Sequence, residues 1–418
     1  MIGRKKKDLS ANLVAFGLAG YMTGTLFYGF LKILGLVSPA IEEIRVFLPE
    51  TFLIFIFLAY FFNTEKKITA TTWFLLYVAF ISVISYVTAP SERAILVTAR
   101  DVLIPIVMLC SFSNIKLTHD GFKTVVKVIR VVFTLFIVVG FVFSLVQYIH
   151  GWQWVSRLFA GYEFWGIEES QSLRISNGWL GGVKVLGTTG SAENFGIYCP
   201  LALAFMMYYG YKYKWFNVFL CLLAIISTAL SGSKTGLAVM VIAVMIKAVS
   251  LSRGELKRAL YILTIVAAML GTLWFIFFAD EANASLLDRF RLWEDLLNPD
   301  YLINVLFPFN LFFFSSGAGN EGIIGFWDNA YFFSAFAIGA VGTIWLIYII
   351  YKREKETRAA NGNGFTLQII IILGLSALST CIFFGRSLLT MAIIFLGVWY
   401  ADSKNYKKSR LQLGGDGL

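Results

Sequence analysis

Charge and metal-binding side chains are what this sequence has least of. Asp, Glu, Lys and Arg make up only 14% of the 418 residues, and there are 2 His and 4 Cys. So little charge excludes an ordinary soluble domain. Cys110, Cys199, Cys221 and Cys381 all sit in apolar segments, at spacings that fit neither a metal site nor a disulfide framework, and read as small core residues. His119 and His150 have no partner arrangement, which argues against a membrane acyltransferase. The loops hold no Asp-x-Asp pair and no His/Cys cluster, so no tightly held metal and no cofactor are expected. No internal repeat and no separate soluble domain are visible. Arg4-Lys5-Lys6-Lys7 precedes an apolar stretch too long for a cleavable signal core, so that stretch should remain as a helix.

What is present is apolar. Hydrophobic residues reach 58% and aromatic residues 17%, with 40 Phe. This is the composition of a polytopic membrane protein with lipid-facing surface and interfacial aromatic belts. Apolar segments near 9–31, 47–63, 68–88, 94–113, 128–149, 191–209, 215–231, 235–251, 259–279, 328–351, 365–383 and 386–401 predict a single all-α membrane domain over 1–418 with about 12 spans. The net charge of +10 does not point to nucleic acid, because most Lys and Arg fall in short loops on alternate sides of the spans. That pattern places both termini on the cytoplasmic side. Two long outer loops remain, 150–190 and 280–327, each longer than a plain connection needs and each expected to carry short interfacial helices. Lys32, Arg45, Arg93, Arg100, Arg157, Arg174, Lys184, Lys234, Arg289, Arg291 and Arg386 lie on the outer side against the general bias.

The stretch 280–342 concentrates the polar signals. At about 100° per residue, Leu286, Phe290, Trp293 and Leu297 share one stripe, as in a helix lying on an apolar surface. Arg289 flanks that stripe; Arg291 points away and pairs with Asp295 at i, i+4. The apolar run Tyr301 to Phe314, interrupted by Pro308, is too short to span a bilayer and suits an interfacial or re-entrant segment. A glycine turn, Ser315-Ser-Gly-Ala-Gly319, follows. The next span opens with Asp328-Asn329 and contains Gly339 and Gly342.

Three further places carry polar residues. Ser231-Gly-Ser-Lys-Thr-Gly236 is either a hairpin with a snorkelling Lys234 or an anion site made of backbone amides, hydroxyls and one ammonium. Gly187-Thr-Thr-Gly-Ser-Ala-Glu-Asn194 ends in a helix cap, with Glu193 needing a cation such as Arg174 or Lys184. Arg93 and Arg100 fall on one helix face, and Asp101, adjacent to Arg100, is oriented to pair with it poorly; Arg100 reads as a supporting cation.

In order and spacing, these marks resemble the O-antigen ligase and O-antigen polymerase superfamily over roughly 170–350. The residues that carry the likeness are Gly187 to Asn194, Ser231 to Gly236, Arg289 four residues before Trp293, Gly317-Ala-Gly319, and Asp328-Asn329 followed by Gly339 and Gly342. The resemblance implies a chain in the plasma (inner) membrane and metal-independent, inverting transfer of a glycan from a polyprenyl-pyrophosphate carrier to a glycan acceptor on the outer side of that membrane. It further implies membrane lipid, a chain-length regulator and a flippase as partners. Lys234 stands where the family usually has arginine. Asp328 stands where ligases acting on lipid A core carry histidine, which favours a polysaccharide polymerase over a ligase. On this reading Lys234 and Arg289, with Arg291, Arg174 and Arg100, hold the pyrophosphate, and Asp328 and Asn329 face the acceptor. A lipid-linked glycan flippase is the competing class, since it too has many helices and intramembrane charge.

Overall fold

A computed structural model describes residues 2–38, 47–62, 68–89, 91–158, 184–252, 255, 299–309, 311–312, 330–362, 364–379 and 388–414. Among them every regular element is helical. In chain order these are α1 (Ile2–Leu26), α2 (Tyr28–Val37), α3 (Leu48–Thr51), α4 (Leu53–Phe62), α5 (Ala70–Ser85), α6 (Glu92–Thr98) and α7 (Ile104–Asn114). Then come α8 (His119–Leu158), α9 (Ala192–Tyr209), α10 (Lys214–Ser231), α11 (Lys234–Leu251), α12 (Pro299–Leu306), α13 (Ala330–Asn361), α14 (Phe365–Ser379) and α15 (Leu388–Gly414). Five described helices are long and apolar enough to cross a membrane, or six if the bent pair Leu9–Leu26 and Tyr28–Leu34 forms one span. The chain is an all-α protein of membrane type.

Side-chain caps fix several helix starts. Ser91, Ser191 and Ser233 accept from the backbone N–H three residues on, satisfying donors that have no intrahelical partner. Thr69 and Thr72 form a reciprocal capping box on α5. The helices then alternate in direction, as long-range contacts record. The start of α5 meets the end of α7 through the Thr71 and Ser113 hydroxyls, 2.7 Å apart, and α8 meets the end of α9 where Arg130 Nε donates to the Tyr209 carbonyl at 2.7 Å. Trp399 is fully buried, with ring centroids of Phe365, Tyr209 and Phe122 at 4.8, 5.0 and 5.4 Å, which ties α8, α9, α14 and α15 into one aromatic core.

Several expected spans differ in detail. The first, expected as a continuous helix to residue 31, breaks at Phe27 and bends by 69°, because Thr188 Oγ1 donates to the Leu26 carbonyl at 2.8 Å and takes the acceptor the helix would use. The fourth contains a π-helical turn, Ala99–Leu103, between α6 and α7. The fifth starts at His119 and is kinked at a non-helical Gly151, beyond which a second helical piece takes residues of the first expected loop as far as Leu158. The tenth runs on to Asn361, so Lys352, Arg353, Lys355 and Arg358 are helical rather than in a loop. Its extension is docked: Arg353 is buried and donates to the Leu109 carbonyl and to Ser113 Oγ, and Arg358 pairs with Glu354 at 3.1 Å.

The described part of the 280–327 loop tucks between α5 and α13. α12 packs on α13, and Pro308 approaches the chain where Gly339 leaves helical geometry at φ 76°, ψ 164°. That backbone region belongs almost entirely to glycine. Tyr77 donates its hydroxyl to the Ile338 carbonyl at 2.9 Å beside the break, and Ser85 Oγ accepts from Leu311 N at 3.1 Å. Leu311 and Phe312 are buried. The segment expected to be interfacial or re-entrant is thus held in the bundle by polar contacts to α5.

Candidate functional site

The two motifs singled out between 187 and 236 fold against each other. Residues 187–189 form one turn of 3-10 helix, closed by Gly190 at φ +70°, and Ser191 then caps α9. Thr189 Oγ1 donates within the turn to the Ser191 carbonyl at 2.8 Å. From outside, the Gly187 N–H donates to Gln147 Oε1 at 3.0 Å, and Thr188 bonds the broken end of α1. The Ser231–Gly236 turn repeats the design: Gly232 has φ +64°, Ser233 N donates to Ser231 Oγ at 3.2 Å, and Gly236 N donates to Ser233 Oγ at 3.1 Å.

α9 and α11 begin side by side at the same end. A Cβ added at Gly236 would stand 2.4 Å from the Gly196 carbonyl oxygen, and one added at Gly196 would stand 2.4 Å from Ser233 Cβ. Only glycine at both positions permits this approach. Two helix N-termini, each with its partial positive charge and forward-pointing N–H groups, therefore open toward one region.

Three lysines are carried beside these turns. Lys234 is the first residue of α11 and is exposed. Lys184 lays its stem across the second turn, its Cγ 2.9 Å from where a Cβ on Gly232 would sit. Val185 N donates to the Leu230 carbonyl at 3.3 Å and fixes this course. Lys32, carried by α2 beyond the bend, covers the first turn, its Cδ 3.5 Å from the equivalent point on Gly190. Gly29 allows that docking, since any side chain there would meet Thr188 O at 2.7 Å.

Arg100 lies at the same end. Its Nε bonds Asp101 Oδ1 at 2.8 Å, and Glu50 and Tyr28 stand within electrostatic reach. The adjacent pair expected to be poorly oriented is formed, because the long guanidinium arm reaches the neighbouring carboxylate. With Asp101 bound and Glu50 near, the Arg100 charge is already compensated. Lys32 Nζ stacks over the Tyr28 ring at 5.6 Å, so Tyr28 lies between the lysine cluster and Arg100.

Of the residues assigned from sequence, Lys234 and Arg100 are described. Arg174, Arg289, Arg291, Asp328 and Asn329 lie outside the described residues, as does Cys381. Lys32, Lys184 and Gln147 were not assigned a site role from sequence. The signal for the two lysines was their place on the side poor in basic residues; for Gln147 it was an amide inside an apolar helix. Among the described residues, no group of three or more His, Cys, Asp or Glu could hold a metal. Ammonium groups beside helix N-termini are the chemistry that favours a multiply charged anion such as a pyrophosphate. The chain matches no known protein-family model and no curated protein, so its functional assignment rests on these residues and their arrangement.

Proposed function

We propose that the protein is a membrane glycosyltransferase that polymerises polyprenyl-pyrophosphate-linked oligosaccharide repeat units into a surface polysaccharide on the outer face of the plasma membrane. The supporting observation is the placement of Lys32, Lys184 and Lys234 beside the paired starts of α9 and α11, where the two most recognisable motifs of the sequence meet. In this reading the chain has about 12 spans with both termini cytoplasmic, and the loops 150–190 and 280–327 face outward.

The proposed chemistry is a displacement with inversion. An acceptor sugar hydroxyl attacks the anomeric carbon of the donor, the bond to the pyrophosphate oxygen breaks, and the proton passes to Asp328. Charge grows on the departing pyrophosphate, and cations already in place stabilise it without reorganisation. Lys234, Arg289, Arg291 and Arg174 take that role, joined by Lys32 and Lys184, while Arg100 supports from its pair with Asp101. Asn329 orients the acceptor. A carboxylate is a weak base for a sugar hydroxyl, so proton transfer runs late, as the new bond forms.

The test is purified protein supplied with a lipid-pyrophosphate oligosaccharide and no membrane gradient. Longer glycan is expected, and Asp328→Asn should lower its formation by about 10²-fold while donor binding persists. Absence of elongation by well-folded wild-type protein would overturn the reading. A ligase would instead transfer the glycan once, to a different lipid or protein acceptor. A flippase is the second reading, favoured by the bend at Phe27 and the break at Gly339, since transporters build substrate sites from discontinuous helices. It predicts that the lipid-linked oligosaccharide changes leaflet with its length unaltered.

A further inference from the structure

The opposite end of α8 carries a second polar feature that glycan transfer does not use. An open cavity of about 490 Å³ lies between the first turns of α8 and the turn that joins α9 to α10. Lys123, Lys127 and Arg130 line it at helical spacing, with Tyr209 and Tyr211 on the other wall and Phe122 and Val126 also lining it. Arg130 sets the wall: its Nε donates to the Tyr209 carbonyl at 2.7 Å, and its guanidinium lies 5.4 Å from the Tyr211 ring centroid. Thr134 and the Tyr211 hydroxyl, 3.0 Å apart, close the lower edge. Asp120 pairs with Lys123 at 3.8 Å, with both side chains well exposed, so it screens the site only at its solvent rim.

The surface below the cavity shows what chemistry accompanies the charge. Val131, Leu135, Val138, Val142, Leu145 and Ile149 are all exposed, and at alternating spacings of four and three they form one continuous apolar ridge along α8. Lys127 and Lys123 continue that same face upward. α10 packs beside α8 and exposes Phe216, Phe219, Leu222 and Ile226, while Tyr213 and Trp215 stand exposed at its start. Aromatic residues at this depth mark a membrane interface. A cationic cup above an apolar groove, at the edge of a membrane bundle, matches a molecule with an anionic head and long apolar tails.

We infer that this cavity binds the phosphodiester headgroup of an anionic phospholipid, whose acyl chains lie against the α8 and α10 surfaces. Free phosphate shares the headgroup chemistry but makes no use of the ridge, and each lysine near an anionic membrane surface contributes attraction of its own. The test is lipid titration of the full-length protein in detergent by native mass spectrometry, with phosphatidylglycerol and phosphatidylcholine of matched chains. Phosphatidylglycerol should bind roughly tenfold or more tightly, and Lys123→Gln/Lys127→Gln should abolish that preference while leaving phosphatidylcholine binding unchanged. Lys352→Gln/Lys355→Gln, which removes two charges elsewhere, should preserve the preference, and millimolar inorganic phosphate should not displace the lipid. Equal binding of the two lipids by wild type, an intact preference in Lys123→Gln/Lys127→Gln, equal loss in both double variants, or displacement by phosphate would each overturn the assignment.

Discussion

Lys234 occupies a position that helix energetics disfavour. A cation in the first turn opposes the helix dipole by roughly 0.3–1 kcal/mol, and α11 has no acidic residue there to offset it. Its side chain is exposed, so packing does not explain it either. Lys234→Ala should therefore leave thermal stability unchanged or raise it by a few tenths of a kcal/mol, while polymer formation is lost. Lys234→Arg should keep activity, because charge rather than shape is the requirement; normal turnover by Lys234→Ala would remove Lys234 from the site. Asp402 poses the reverse case, a charge with a structural cost. It lies in α15 just past the apolar run ending at 401, is 3% exposed, and its Oδ1 has no hydrogen-bond partner among the described residues. Burial pushes its carboxyl up to about 6, with His119 opposing weakly. The folded state thus favours the protonated form: that contribution is complete below the unfolded value near 3.8 and disappears as pH rises through about 6. At neutral pH the ionised form costs up to about 3 kcal/mol. Melting of solubilised protein between pH 4 and 7 should show this loss, and Asp402→Asn should flatten it and be the more stable protein at pH 7. An unchanged pH slope in the variant would exclude Asp402 as its source.

At the scale of elements, Gly339 shows how a motif residue acts through geometry. Alanine there must adopt φ 76°, ψ 164°, and its Cβ would stand 3.0 Å from Pro308. The backbone cost alone is about 1–3 kcal/mol. Gly339→Ala should lower the melting temperature and release the 299–312 segment, seen as faster amide exchange at Leu311, whose N–H is otherwise held by Ser85. Unchanged exchange at Leu311 would mean that the break does not hold that segment. This geometry was not legible in the sequence, although Gly339 itself was marked there. Apolar periodicity and caps are local, which is why the helices near 191–209, 215–231 and 235–251 were placed to within a residue or so. The bend at Phe27 is bordered by Thr188, which bonds Leu26 from 162 residues away, and the Gly339 break is bordered by Tyr77 and Pro308. Neither has a local signature. The site divides in the same way: Lys234 stood out inside a recognisable turn, whereas Lys32 and Lys184 reach the cluster only because Gly29 and Gly232 let other segments come close.

For the whole molecule the distribution of charge between the two ends becomes the argument. Ala11 touches Gly121, Lys404 donates to the Ser113 carbonyl at 2.6 Å, and Gly364 lies against Tyr208. The starts of α1, α8 and α14 and the ends of α7, α9 and α15 therefore share one end. That end also carries Lys116, Lys123, Lys127, Arg130, Lys212 and Lys214, with Lys352, Arg353, Lys355 and Arg358 on the last turns of α13. Among the described residues the other end has Lys32, Lys184 and Lys234 beside the starts of α9 and α11, and Arg100 paired with Asp101. Short connections rich in Lys and Arg resist export across a membrane, so the proposed orientation puts the first end in the cytoplasm and the lysine cluster outside. Labelling tests this directly. Glu193 and Lys355 are exposed residues at opposite ends, which suits them to single-cysteine replacement once Cys110, Cys199, Cys221 and Cys381 have been changed to serine or alanine. In intact spheroplasts an impermeant thiol reagent should modify Glu193→Cys and spare Lys355→Cys until the membrane is permeabilised. Modification of Lys355→Cys alone would invert the orientation, move the lysine cluster to the side facing the cytoplasm, and remove the outer-face polymerase from consideration.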